Sequence, residues 1–139
     1  IESRGLGDVY KRQNTGTLHY VEFSKSLHDN FFNKRVLELT SSQEFLKAPF
    51  NINIVKKEND HIQIRTFEKG VNRETLSCGS GSTASILAVF LAFEKKYSCV
   101  KARGGNLNVD FHFNNKFFEK IRLISKPTII NSGNLSIEV

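Results

Sequence analysis

At 139 residues the chain has the length of one domain with a sizeable core, and 39% apolar residues with 12 Phe exclude a disordered chain. The formal charge of +6 comes from Lys and Arg interspersed with Asp, Glu and Asn, so no basic block marks a nucleic-acid interface. Two cysteines make no disulfide framework, and neither a signal-peptide pattern nor a membrane-length apolar run is present, which fits a cytoplasmic protein.

Asp8-Val9-Tyr10-Lys11-Arg12-Gln13 resembles the translated end of a sequencing adapter. Residues 1–13 are therefore expected to be non-native, residues 14–139 to form the domain, and the natural protein to begin upstream. Asn14-Thr15-Gly16-Thr17 is a turn signal before an alternating strand over 18–23. A short helix is expected over 26–35, with Leu27, Phe31 and Phe32 inward, then a short strand over 36–39 and a loop or cap at 41–44. Asn and Ile alternate over 50–55 like a strand; 56–60 reads as a hairpin loop and 61–67 as a second strand. That strand delivers Glu68 and Lys69 to the end of the fold where Cys78 lies.

Residues 67–93 organise the rest. Glu74-Thr75-Leu76-Ser77-Cys78-Gly79-Ser80-Gly81 precedes a run over 82–93 that is apolar on every side. Such a helix is buried all round, and it is too short to span a bilayer. Ser80 or Ser82 can cap it. Cys78 then stands at a helix N-terminus, where unpaired N–H groups favour a thiolate and can hold a carboxylate. Cys99 lies at the far end of this helix, roughly 20 Å away, so the two cysteines are not expected to pair. Strands are expected over 99–102, 106–113 and 117–124, with turns at Gly104-Gly105 and Asn114-Asn115, and a final strand over 135–139. Cys99 and His112 sit in strand patterns without assigned chemistry. Many short strands around one apolar helix predict an α+β domain whose mixed and antiparallel sheet curls into a barrel-like layer about that helix.

Glu68-Lys69-Gly70 followed by Glu74-Thr75-Leu76-Ser77-Cys78-Gly79-Ser80-Gly81 resembles the second catalytic-cysteine motif of the diaminopimelate epimerase family, which carries Glu-Arg-Gly and then Glu-Thr-x-x-Cys-Gly-Thr/Ser-Gly. The resemblance extends to Gly16-Thr17-Leu18-His19, where the family has Gly-Asn-Pro-His, to Asn51, and to the Gly-Gly-x-Leu-x-Val pattern over 104–109. It implies a C-terminal domain paired with an N-terminal one, the active site lying in the cleft between them. It also implies a cofactor-independent, two-cysteine inversion of LL-2,6-diaminopimelate to the meso isomer, for lysine and peptidoglycan synthesis. In that reading Cys78 is one acid–base residue with Glu68 tuning it, His19 is a catalytic residue associated with the family's first cysteine, and Thr17, Asn51, Glu68, Lys69, Gly79 and Ser80 meet the substrate.

On the residues alone the same positions have plainer readings. His19 is a strand-edge histidine, Asn51 a turn former, Glu68–Lys69 a surface ion pair, and Cys78 a small buried hydrophobe. Thr17 keeps a hydroxyl where the family has an amide, and Lys69 keeps charge without the bidentate fork of Arg. The partner cysteine is not in this sequence, so the chain alone is expected to be inactive. The expected partners are an amino-acid substrate, the missing N-terminal domain and, as an admissible further one, a second copy. No nucleic acid, membrane, metal or cofactor is expected. Two other functions fit the residues: a racemase or isomerase of the same fold with another amino-acid substrate, and a non-catalytic binding copy.

Overall fold

The computed structural model describes residues 2–3, 10–14 and 16–138. Of the segment expected to be non-native, residues 1 and 4–9 lie outside the described residues. Its remainder forms β1 (Glu2–Ser3) and most of β2 (Tyr10–Asn14), paired antiparallel. The other elements are β3 (Leu18–Phe23), α1 (Asp29–Thr40), α2 (Gln43–Lys47), β4 (Asn51–Lys57), β5 (Ile62–Glu68), β6 (Arg73–Thr75), α3 (Gly79–Phe93), β7 (Cys99–Ala102), β8 (Gly105–Phe113) and β9 (Phe118–Ser125). Among the described residues the strands form one mixed sheet in the order β1-β2-β3-β4-β5-β7-β8-β9, with β6 also on β5.

The two parallel pairings explain where the helices lie. Parallel neighbours need a crossover. Between β3 and β4 it carries α1 and α2; between β5 and β7 it carries β6 and α3. The two crossovers occupy opposite faces of the sheet. On one face Val21, Val55, Ile62, Ile64, Val100, Val109 and Phe111 close on Ala84–Val89 of α3. On the other, Tyr20, Ile52 and Ile54 pack with Phe32 and Phe50 and with Phe31, Val36, Leu39 and Phe45 from the α1–α2 layer. The central helix thus lies against the curved sheet, touching β2, β3, β4, β5 and β8. Both cysteines are free, and among the described residues no helix is long and apolar enough to cross a membrane.

Three local expectations are corrected. Residues 36–39 are not a strand but the second half of α1, which runs from Asp29 to Thr40. Phe32, Val36 and Leu39 share a helical face and reach the same apolar cluster. The cap of α3 is neither Ser80 nor Ser82 but Cys78, whose Sγ accepts from the Gly81 N–H. Residues 126–138 form no strand, and Ile129, Ile130, Leu135 and Ile137 are exposed: their alternation finds no partner edge among the described residues.

Candidate active site

Strand parity builds the site. Side chains two apart share a face, so His19 belongs with Val21, Asn51 and Asn53 with Val55, and Thr66 and Glu68 with Ile64. The inner face of β3, β4 and β5 is therefore apolar beside the body of α3 and polar beside its N-terminus. Cys78 enters there in an extended conformation (φ −136°, ψ 109°), and Gly81 N donates to its Sγ at 3.3 Å. Ser80 Oγ lies 3.5 Å from Sγ and 3.0 Å from His19 Nε2. His19 Nδ1 lies 3.1 Å from Asn53 Nδ2, and Asn53 Oδ1 accepts from Thr66 Oγ1 at 2.9 Å. A Cβ on Gly81 would overlap Asn53 Oδ1 and stand 3.2 Å from Cys78 Sγ. This position therefore requires glycine for close approach rather than for a positive φ.

Electrostatics at the two ionisable centres run in opposite senses. Burial pushes the Cys78 thiol up; the Ser80 hydroxyl and the Gly81 N–H pull it down, and the Glu68 carboxylate raises it further, leaving it above the ordinary value. The helix N-terminus alone favours thiolate, but here desolvation outweighs it and the resting group is a thiol. His19, fully buried, is lowered to about 4 by desolvation, opposed by Glu68 and assisted by Lys69.

The His19 value sets an expected pH dependence. The unfolded chain protonates this histidine near its ordinary value, and the folded chain only near about 4. Its contribution to stability is complete above the unfolded value and is lost as pH falls toward the folded one, roughly 3 kcal/mol in all. Urea unfolding between about pH 7.5 and 4.5 should show wild type losing more stability than His19→Gln. Parallel losses in the two proteins would refute it.

The other expected site residues divide. Glu68 is close enough to raise the Cys78 thiol, and Thr75 Oγ1 donates to its carboxylate at 3.1 Å. Gly79 opens α3, and a Cβ there would meet Leu123 of β9 at 2.6 Å. Asn51 and Lys69 are joined to each other: Asn51 Oδ1 accepts from the Lys69 N–H at 2.9 Å, while Lys69 Nζ donates to Pro49 O at 3.1 Å. Thr17 sits on the bend before β3, and among the described residues no hydrogen bond links it to the Cys78 group. His19 is not a strand-edge residue; β3 is paired on both sides, and the ring is fully buried. Asn53, Thr66 and Thr75 escaped the sequence reading. The available signal was the Asn-Ile-Asn alternation, which places Asn51 and Asn53 on one face. An open recess lined by Arg73, Glu74, Thr75, Leu76 and Ser77 runs along the loop into Cys78. Among the described residues no group of three His, Cys, Asp or Glu side chains could hold a metal ion.

No family model matches the chain. Curated relatives do. A diaminopimelate epimerase of Flavobacterium psychrophilum is 32% identical over 126 residues, covering 88% of this chain and 49% of its own. One from Methanocella arvoryzae is 35% identical over 99 residues (70% and 35%), and one from Aquifex aeolicus 32% over 130 residues (91% and 46%). The chain is a homologue of the diaminopimelate epimerases. It spans about half the length of the epimerases it matches. A solved phenazine biosynthesis protein of the PhzF family from Enterococcus faecalis is 18% identical, with a TM-score of 0.49 over 67% of this chain and 33% of that one. As an epimerase homologue the chain places its single Cys-Gly-Ser-Gly turn where the polar row of β3–β5 meets the start of α3.

Proposed function

We propose that the chain is one half of a cytoplasmic, cofactor-independent diaminopimelate epimerase, the half that carries one of its two acid–base cysteines. The observation that carries this reading is Cys78 at the N-cap of α3, in hydrogen-bond reach of Ser80 and beside Glu68. An α-hydrogen next to a carboxylate is weakly acidic, so its removal needs a base on one face and charge stabilisation at the carboxylate. A thiol held above its ordinary pKa by burial is suited to return a proton to the carbanion. In the reverse direction its thiolate takes one, with Ser80 and the Gly81 N–H stabilising the sulfur charge. The amides of Gly79 and Ser80, at the helix N-terminus, would meet the substrate carboxylate. The second cysteine, on the opposite face of the α-carbon, belongs to the other half in this reading.

The test is isotopic. The gene rejoined to its upstream genomic sequence should yield a protein that exchanges the α-hydrogen of LL-diaminopimelate for deuterium in D₂O, whereas the 139-residue chain should not. Turnover by the chain alone would overturn the two-half reading. A second reading, a racemase of the same fold with another amino acid, is favoured by Lys69, whose ammonium already donates to Pro49 O. Exchange with a different α-amino acid and none with diaminopimelate would select it.

A further inference from the structure

The hairpin of β5 and β6 sets two opposite charges across from each other on the Cys78 side of the sheet and leaves them unpaired. We propose that Arg73 is a specificity-determining residue that holds the carboxylate at the non-reacting end of the substrate, which is therefore a dicarboxylic amino acid. The inference rests on the epimerase reading above and adds a residue to it.

Register fixes the face. Arg73 is the cross-strand partner of Glu68 in the antiparallel β5–β6 pair, and directly opposed residues project to the same side with Cβ atoms about 5 Å apart. Thr75, two residues on, shares that side, and its Oγ1 donates to the Glu68 carboxylate at 3.1 Å. Glu74, between them, turns the other way and takes the Arg65 fork. Glu68 in turn acts on the Cys78 thiol, so Arg73 lies on the Cys78 side. Its guanidinium is uncommitted there. Arg35, Arg65, Arg103 and Arg122 each hold a carboxylate of the chain. Among the described residues the exposed Arg73 holds none, although Glu68 stands directly across from it. Lys69, in the hairpin turn, donates its ammonium to Pro49 O. A guanidinium offers a carboxylate two parallel donors, and Glu68 offers an ammonium an acceptor; together they fit the zwitterionic head of an amino acid. Arg73 also lines the open recess along β6 whose last lining residue, Ser77, adjoins Cys78. The α3 amides beside Cys78 take the carboxylate at the reacting carbon. A guanidinium set back from them by β6 and the loop after it meets a second carboxylate.

The test follows α-hydrogen exchange of LL-diaminopimelate in D₂O by the protein from the gene rejoined to its upstream sequence. Arg73→Gln should raise KM on the order of ten- to hundredfold and leave kcat within about threefold, because the binding is lost equally from ground and transition states. Arg73→Lys should fall between, since it keeps the charge and loses the fork. Lys101→Gln, which removes an exposed cation from β7, should leave KM unchanged. Urea midpoints of the Arg73 variants should match wild type, because the guanidinium holds no group of the protein. An unchanged KM in Arg73→Gln, with wild type active, would overturn the inference and leave the epimerase reading standing. A KM rise accompanied by a fall in the urea midpoint would assign Arg73 to the joint between the two halves, and would overturn it too. No exchange by folded wild type would remove the epimerase reading itself, and the inference with it.

Discussion

In the rejoined full-length protein, Cys78→Ser is expected to reduce α-hydrogen exchange by about 10²–10⁴-fold or more while leaving the fold intact. The two halves of that expectation have different physical origins. Sulfur is lost as an acid–base centre, because a serine hydroxyl does not ionise near neutral pH. The capping role is kept, because Ser is among the better N-cap residues and its Oγ can accept from the Gly81 N–H as Sγ does. Cys78→Ala should lose exchange to the same extent and about 1 kcal/mol of stability besides, since the cap is gone. Deuterium incorporation and urea midpoints on the three proteins separate chemistry from structure. Substantial exchange by a folded Cys78→Ser protein would remove Cys78 from the reaction.

What the sequence made legible follows from how much of each signal is local. The apolar run after Cys-Gly-Ser-Gly is one element with one solution, a buried helix, and α3 lies where that run predicts, beginning three residues earlier at Gly79. Cys78 was legible as a helix-terminal thiol, but its effective acidity was not. The desolvation that lifts it depends on walls contributed by other elements, among them the strand that ends in Glu68. Residues 36–39 misled because four residues fit a strand and a helix equally. The longer Phe32-Val36-Leu39 face, visible only once an opposing cluster exists, decides for the helix. The full burial of His19 and Asn53 was hidden for a related reason. An alternating strand suggests one wet face, yet β3 and β4 are covered on one side by α1 and α2 and on the other by α3. That double burial turns two polar strand residues into the interior of a site.

Arg65 is expected to be the costliest surface-facing truncation in the domain. It sits on the face of β5 opposite Cys78, with its side chain only 8% exposed. Its Nε and Nη2 donate to the two oxygens of Glu74 at 2.7 and 2.6 Å, a bidentate pair. Its Nη1 donates to Leu27 O and to Asp29 Oδ1, both at 2.8 Å, and the guanidinium lies 4.2 Å from the centre of the Phe32 ring. One side chain thus ties β6 and the start of α1 to β5. Arg65→Leu leaves the Glu74 carboxylate, 18% exposed, with the more exposed Arg103 as its remaining cation. A loss of about 3–5 kcal/mol is expected, a large share of a small domain's total. Because the penalty arises from a largely buried carboxylate left with only an exposed cation, Arg65→Leu combined with Glu74→Leu should be less destabilised than Arg65→Leu alone. Glu74 stands four residues before Cys78, so the loosened β6 should also speed alkylation of Cys78 in the single variant and not in the double. Urea unfolding and alkylation kinetics on the two proteins check both statements. A single variant within about 1 kcal/mol of wild type would place Arg65 among ordinary surface ion pairs instead.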